Sequence, residues 1–361
     1  MRILSIEGRT LYHLHALRAA AAGGIRSLER WLDHVAALGC GGVLLTPIHH
    51  SSDHGYDTID AFRLDPRLGS DSDFESFVGA CRERDLVVVL DGVFNHAGRG
   101  FVRPELLSDR CWEGHDELVE LDHSNPDVLV WAAEVAVHWL DRGASGWRFD
   151  VAYSMPRTFL GDLIRRIRQR HPEAFLFGEM IHGDYADLVS STGLDSVTQY
   201  ELFKAIWSSL NDANMWELAW ALERHRAFAS AFPPVTFLGN HDVTRIATNL
   251  QNAAHLPIAL GVLMTVPGVP CVYYGDEFGW TGRKHRGPRG DDEIRPPLPD
   301  AAVWDSTTEQ HRNWITFRRE RPWLTNAPLE VVGKTNTTLD YRVGAMFVHI
   351  DVEHGLTVSE P

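Results

Sequence analysis

The chain is poor in cysteine: Cys40, Cys81, Cys111 and Cys271 are scattered over 361 residues with no C-x-x-C pair. That spacing excludes a disulfide framework and a thiolate zinc site, and reduced thiols are expected. Positive charge is also in deficit. Thirty-four basic residues face forty-nine acidic ones, a formal charge of −15. Such a balance repels phosphate backbones and anionic lipid surfaces, so neither nucleic acid nor a membrane is expected as a partner. Long apolar runs are missing. The opening MRILSIEGRTLYHLHALRAA has no apolar core followed by a small-residue cleavage site, and no later stretch reaches bilayer-spanning length. A cytoplasmic enzyme with a small neutral substrate is the expectation. Low-complexity tracts are absent too, and 44% hydrophobic with 23% charged residues is the composition of a folded globular protein.

What the chain does have is a rhythm of short apolar runs followed by longer amphipathic segments, the signature of βα units and a parallel sheet. Candidate strands cover 11–17, 42–47, 86–91, 146–150, 174–178, 194–198, 234–239 and 269–274. Between them lie helical patterns such as SLERWLDHVAALG and DVLVWAAEVAVHWLDRG. Eight repeats predict an α/β protein of the (β/α)8 TIM-barrel type. Two stretches interrupt the rhythm: 97–123, a short insert after strand three, and 279–300, a charged Gly/Pro-rich excursion after strand eight. Beyond residue 325 the text alternates as strands do. The expected organisation is a catalytic barrel over 1–325, with its inserted subdomain at 97–123, and a small C-terminal β appendage over 326–361. Trp131, Trp139, Trp216 and Trp220 fall at helical spacing and are expected to pack in the core. Trp280, in the excursion, is the one tryptophan left for substrate contact. His13, His15, His49, His50, His138 and His255 sit in no motif and are read as packing or surface groups.

Residues 146–154, GWRFDVAYS, place two charges in an otherwise apolar segment. In a strand, Arg148 and Asp150 share one face while Trp147, Phe149 and Val151 take the other. Alone, the pair reads as a structural ion pair. It is not alone: Asp91 ends LVVVLD, Glu179 ends AFLFGE and Asp242 follows VTFLGNH, all at the strand ends where barrels of this class carry their chemistry. Burying unpaired carboxylates is costly, so a set of them on one rim points to function. Clustered acids serve either a divalent metal or paired-carboxylate catalysis. His96 and His241 lie on different strands and not at close ligand spacing, so no metal is expected.

The stretches DGVFNH (91–96), GWRFDVAYS, FGEMIH (177–182) and FLGNHD (237–242) resemble, in order and spacing, the motifs of glycoside hydrolase family 13, the α-amylase family. HGYDTIDAFRLDPRLGS (54–70), LDHSNPDV (121–128) and GVPCVYYGDE (268–277) support the resemblance, which extends to about residue 325. It implies a retaining double displacement: Asp150 as nucleophile, Glu179 as acid and base, Asp242 as stabiliser of the distorted sugar. Arg148 would keep the nucleophile ionised and a less polar setting would keep Glu179 protonated. By the same resemblance His96 and His241 would bind sugar hydroxyls, with His182 an outside candidate, and Tyr56 would stack on the ring; Asp91 would support Arg148. Asp53 and Arg295 match positions that grip a terminal glucose in exo-acting members. GVFNH, Val151 and the M-I-H after Glu179 resemble the cyclomaltodextrinase and neopullulanase branch instead. Tyr153-Ser154 replaces the Lys-His of many amylases. Of the family's common calcium site only Asn95 is visible, so no cofactor is expected. The implied activity is hydrolysis of short α-linked glucose oligosaccharides through a covalent glucosyl-Asp intermediate, with exo preference. The alternatives are a glucosyl transferase or isomerase using the same intermediate, an endo-acting cyclomaltodextrinase-like hydrolase, and a non-catalytic barrel.

Overall fold

The computed structural model describes residues 6–20, 23–287 and 289–360. Each of the eight apolar runs forms a strand: β1 (Leu11–Leu14), β2 (Gly42–Leu45), β3 (Val87–Gly92), β4 (Gly146–Phe149), β5 (Phe175–Gly178), β6 (Ser196–Val197), β7 (Val235–Phe237) and β8 (Val269–Tyr273). The first is shorter than the expected 11–17. The Ala16 amide turns to the Thr46 hydroxyl at 2.9 Å, and a helix over Ala16–Ala20 begins there. The strands pair in parallel in the order β6-β5-β4-β3-β2-β1-β8-β7. A parallel bridge between Thr198 and Val235 joins the two ends, giving a (β/α)8 barrel.

Alternation along each strand decides what fills it. Leu11, Leu44, Val89, Phe177, Phe237 and Cys271 form one buried cluster in the barrel interior. Their neighbours Tyr12, Val43, Leu90, Trp147 and Val272 belong to the larger cluster beneath the helices. β4 begins with glycine for a steric reason: a Cβ at Gly146 would lie 2.2 Å from the Phe175 carbonyl oxygen. The helices are held by ordinary signals. Gly24–Leu38 buries Ile25, Leu28, Trp31, Leu32 and Val35 on one face and stops at Gly39, whose φ of 92° favours glycine. Pro126–Asp141 starts with proline in its first turn, and the Asn125 side chain accepts the Asp127 amide. Among the described residues no helix is long and apolar enough to cross a membrane.

Three short strands, His96–Gly98, Leu107–Cys111 and Leu118–Leu121, make an antiparallel sheet after β3, with the last in the centre. A separate antiparallel sheet closes the chain: β9 (Leu329–Lys334), β10 (Thr338–Val343), β11 (Met346–Asp351) and β12 (Gly355–Ser359). It packs against the helix Met215–Ala229. That helix corrects one expectation. Trp131 and Trp139 are buried, but Trp216 and Trp220 are 52% and 60% exposed. The helix buries Met215, Leu218, Ala219, Leu222 and His225 instead. Helical spacing groups residues on one face without saying which face points inward. The Trp216 indole donates to Asn336 Oδ1 at 3.0 Å, and the cations of Lys334 and Arg224 lie 5.3 Å and 5.2 Å from the Trp216 and Trp220 rings.

Arg318 is fully buried and meets no carboxylate among the described residues; it donates to the carbonyls of Met264, Val266 and Gly268 at 3.2, 2.6 and 2.6 Å. Burial pushes this guanidinium down to about 9. It satisfies carbonyls at the end of the helix Leu256–Thr265 and the entry to β8, where a cation also complements the helix dipole. Arg318→Met is therefore expected to cost about 2–3 kcal/mol, seen as a lower denaturant midpoint at unchanged slope. A midpoint equal to wild type would mean that water replaces the guanidinium freely.

Candidate active site

At the C-terminal ends of β3, β4 and β5 the inward positions switch from apolar to charged. Asp91 stands opposite Arg148 in the β3–β4 register, Asp150 follows Arg148 by two residues on the same face, and Glu179 follows Phe177 likewise. Arg148 Nη1 donates to Asp91 Oδ2 at 2.5 Å and to Asp150 Oδ1 at 3.2 Å, while Nη2 reaches Glu179 Oε1 at 2.8 Å. All four side chains are buried. The fork is thus shared with Glu179 and not reserved for Asp150. Burial, followed by the Glu179 carboxylate, raises Asp150 well above the usual carboxylate range against the pull of Arg148. Burial likewise raises Asp91. One cation among three acids makes a cluster that retains a proton readily.

Val151, next to Asp150, adopts φ 42°, a left-handed conformation that costs a β-branched residue about 1–3 kcal/mol. The turn aims the Val151 amide at Glu179 Oε2, 3.1 Å away. Glu179 has another partner that sequence reasoning missed. The Tyr200 hydroxyl donates to its Oε1 at 3.1 Å and accepts from Asn240 Nδ2 at 2.8 Å. Tyr200 stands just past β6, at the same rim as the acids; an uncharged side chain outside the four motifs gave no other signal.

Asp242 lies across the rim, a third of its side chain exposed. His241 Nε2 meets its Oδ2 at 2.9 Å, Arg295 Nη2 its Oδ1 at 3.0 Å, and Lys284 Nζ stands 3.9 Å away. Burial raises this carboxyl, but His241, Arg295 and Lys284 outweigh it and hold Asp242 well below its ordinary value. Arg295 is fixed further by Asp291 at 2.8 Å and by the His241 carbonyl at 2.7 Å. The Tyr56 hydroxyl donates to Asp91 Oδ2 at 2.9 Å and also meets His241 Nε2, and the Tyr56 and His241 rings stack 5.4 Å apart. Asp91, Arg148, Asp150, Glu179, Asp242, Tyr56, His241 and Arg295 therefore form one connected network.

Asp53 and His96 stand outside those contacts. Asp53 is exposed on the loop between the strands His49–Ser51 and Thr58–Leu64, where its backbone is held by Asp57 and Arg67; nothing among the described contacts joins it to Arg295. His96 is pushed down to about 3 by burial, so it is neutral at physiological pH, and its buried Nε2 has no partner among the described residues. The Trp112 ring, from the insert, stacks on it at 5.7 Å. His182 is exposed beside Tyr153. Trp280 is half-buried and packs against Phe278 and the Arg245 guanidinium. His13 and His15 are buried packing groups, and what they pack against is the site: their rings lie 5.1 and 6.0 Å from His241, and burial holds both well below the usual histidine value.

Calcium takes about six to eight oxygens, and the two carboxylates that line a pocket with Asn95 already have protein partners. Glu120 is engaged by Arg110 at 2.7 Å, and Asp122 Oδ1 accepts the Ser124 amide and hydroxyl. Among the described residues no group of three or more His, Cys, Asp or Glu side chains is placed to hold a metal.

This geometry can be set beside known proteins. The chain is 27% identical to a maltogenic alpha-amylase of Bacillus acidopullulyticus over 84% of its own length and 57% of that protein. A cyclomaltodextrinase of Geobacillus thermopakistaniensis is also 27% identical, over 78% of this chain and 52% of that one. The chain thus spans little more than half the length of these curated relatives. The fold is shared with a cyclic alpha-maltosyl-(1→6)-maltose hydrolase of Arthrobacter globiformis, TM-score 0.83 at 23% identity, covering 100% of this chain and 98% of that one. A family model described as the alpha amylase catalytic domain matches residues 16–103 and 112–320, the span that carries every strand end described above from β2 to β8. By that match the chain belongs to the α-amylase family, glycoside hydrolase family 13.

Proposed function

We propose that the chain is a retaining α-glycoside hydrolase acting on short α-linked glucose oligosaccharides. The observation that carries this reading is the clasp of Asp150 and Glu179 by one guanidinium, with Asp242 opposite in a separate cationic setting. In the first step an Asp150 oxygen attacks the anomeric carbon as the bond to the leaving oxygen breaks and Glu179 gives that oxygen its proton. The positive charge developing at the anomeric centre favours an ionised Asp150, so the cluster's proton belongs on Glu179. In the second step Glu179 takes a proton from water, whose oxygen displaces Asp150 from the sugar. Asp242, kept ionised by its cations, stabilises the oxocarbenium-like sugar. The Nε2 of His96, without a partner among the described residues, is available to a sugar hydroxyl.

Exo preference is the finer reading, resting on Arg295 beside Asp242 and on the match of Asp53 to the position that grips a terminal glucose in exo-acting members. Endo-action is the second reading, favoured by the exposure of Asp53 and its lack of contact with Arg295, and by the names of the relatives. Proton NMR of fresh digests decides the stereochemistry: the first product from maltotriose is expected as the α anomer, and an initial β signal would overturn retention. The same digests of maltose, isomaltose, sucrose, trehalose, maltotriose and cyclodextrin separate the readings. Glucose from linear ends supports exo-action, opened cyclodextrin supports endo-action, and larger or rearranged sugars show transfer.

A further inference from the structure

We propose that Tyr200, held by Asn240, is a positioning residue for proton delivery: it anchors Oε1 of Glu179 so that Oε2 carries the proton given to the leaving oxygen. This deepens the hydrolase reading and rests on it. Glu179 Oε1 accepts the Tyr200 hydroxyl at 3.1 Å and stands in ion-pair contact with Arg148 Nη2 at 2.8 Å, so a fixed donor and a cation both lie against that oxygen. Among the described residues Oε2 receives only the Val151 amide, at 3.1 Å, and has a site left for a proton. The phenol is itself oriented. Asn240 Nδ2 donates to it at 2.8 Å, so its own hydrogen is directed to Glu179, and Asn240 Oδ1 accepts the Asp242 amide at 2.8 Å. One amide side chain thus ties the loop bearing Asp242 to the carboxyl on β5. Burial and the Glu179 charge hold the Tyr200 phenol well above its ordinary value; it keeps its proton throughout and acts as a fixed donor. As the Oε2 proton moves to the leaving oxygen, negative charge grows on the carboxyl and the Tyr200 hydrogen bond strengthens. That strengthening belongs to the transition state and not to the ground state.

The test is leaving-group dependence in Tyr200→Phe, which removes one oxygen and leaves the ring. kcat/KM is measured on maltotriose, whose departing sugar needs a proton, and on α-glucosyl fluoride, whose leaving group needs little. The expected result is a fall of about 10- to 100-fold on maltotriose and of less than about threefold on the fluoride, with thermal unfolding close to wild type. Equal losses on both substrates would show a disturbed site and overturn the assignment, as would no loss on either. If Tyr200→Phe does not fold, Asn240→Asp reads the same contact, because the new carboxylate keeps the Asp242 amide partner but draws the phenol hydrogen away from Glu179. It is expected to show the same split between substrates. Wild type that turns over neither substrate would refute the hydrolase reading and this proposal with it, whereas active wild type with substrate-independent losses refutes the proposal alone.

Discussion

Asp150→Asn is expected to lower kcat by a factor on the order of 10⁴ or more while leaving the protein at least as stable as wild type. The two effects have one cause. Asp150 is buried against Arg148 and Glu179, and its environment raises it well above the usual carboxylate range; the folded state bears a charge there that it would hold more easily neutral. An amide of the same shape keeps the Arg148 contact through its carbonyl and removes one acid from a cluster of three around one cation. It cannot form the glycosyl ester, so turnover stops. Steady-state rates on maltotriose and a thermal melt measure both sides. Activity within tenfold of wild type would assign the nucleophile elsewhere, and a large fall in melting temperature would show that the ionised carboxylate is structural.

This site was legible in part because charge in a strand is conspicuous. Arg148 and Asp150 share a face by alternation alone, and Asp91, Glu179 and Asp242 stand out where apolar runs end. The eight strands were legible for the same reason: short apolar runs bounded by turns leave few other foldings. What sequence could not show was orientation around a helix and contact across strands. Trp216 and Trp220 fall at helical spacing as Trp131 and Trp139 do, yet face solvent, because period alone does not fix phase. His13 carries no motif, and only the closing of the barrel beside β8 brings it to His241. Tyr200 was invisible for a related reason: its partner Asn240 lies 40 residues away on the next strand end. Sharing of Arg148 between Asp150 and Glu179 was also beyond a linear reading, which assigns a cation to its nearest acid along the chain.

That sharing makes Arg148 the residue whose loss reaches furthest. Arg148→Met should abolish turnover and destabilise the fold by about 3–5 kcal/mol at neutral pH, because it leaves Asp91, Asp150 and Glu179 buried with no guanidinium between them. The deficit has a pH signature. Asp91 and Asp150 are already raised in the folded protein, chiefly by burial. A carboxyl raised on folding contributes stability that is fully present below its unfolded value and is lost as pH rises through its folded value. Removing the cation raises both further, so the variant loses most at neutral and alkaline pH and approaches wild type as the solution falls toward about pH 4. Denaturant midpoints of the two proteins at pH 5 and pH 8 measure it directly. A deficit of equal size at both would mean that Arg148 acts by packing its stem and not by neutralising acids. The shared-clasp account of the site would then fail, because a guanidinium that does not set the charge of its neighbours cannot keep Asp150 ionised for attack while Glu179 holds the proton.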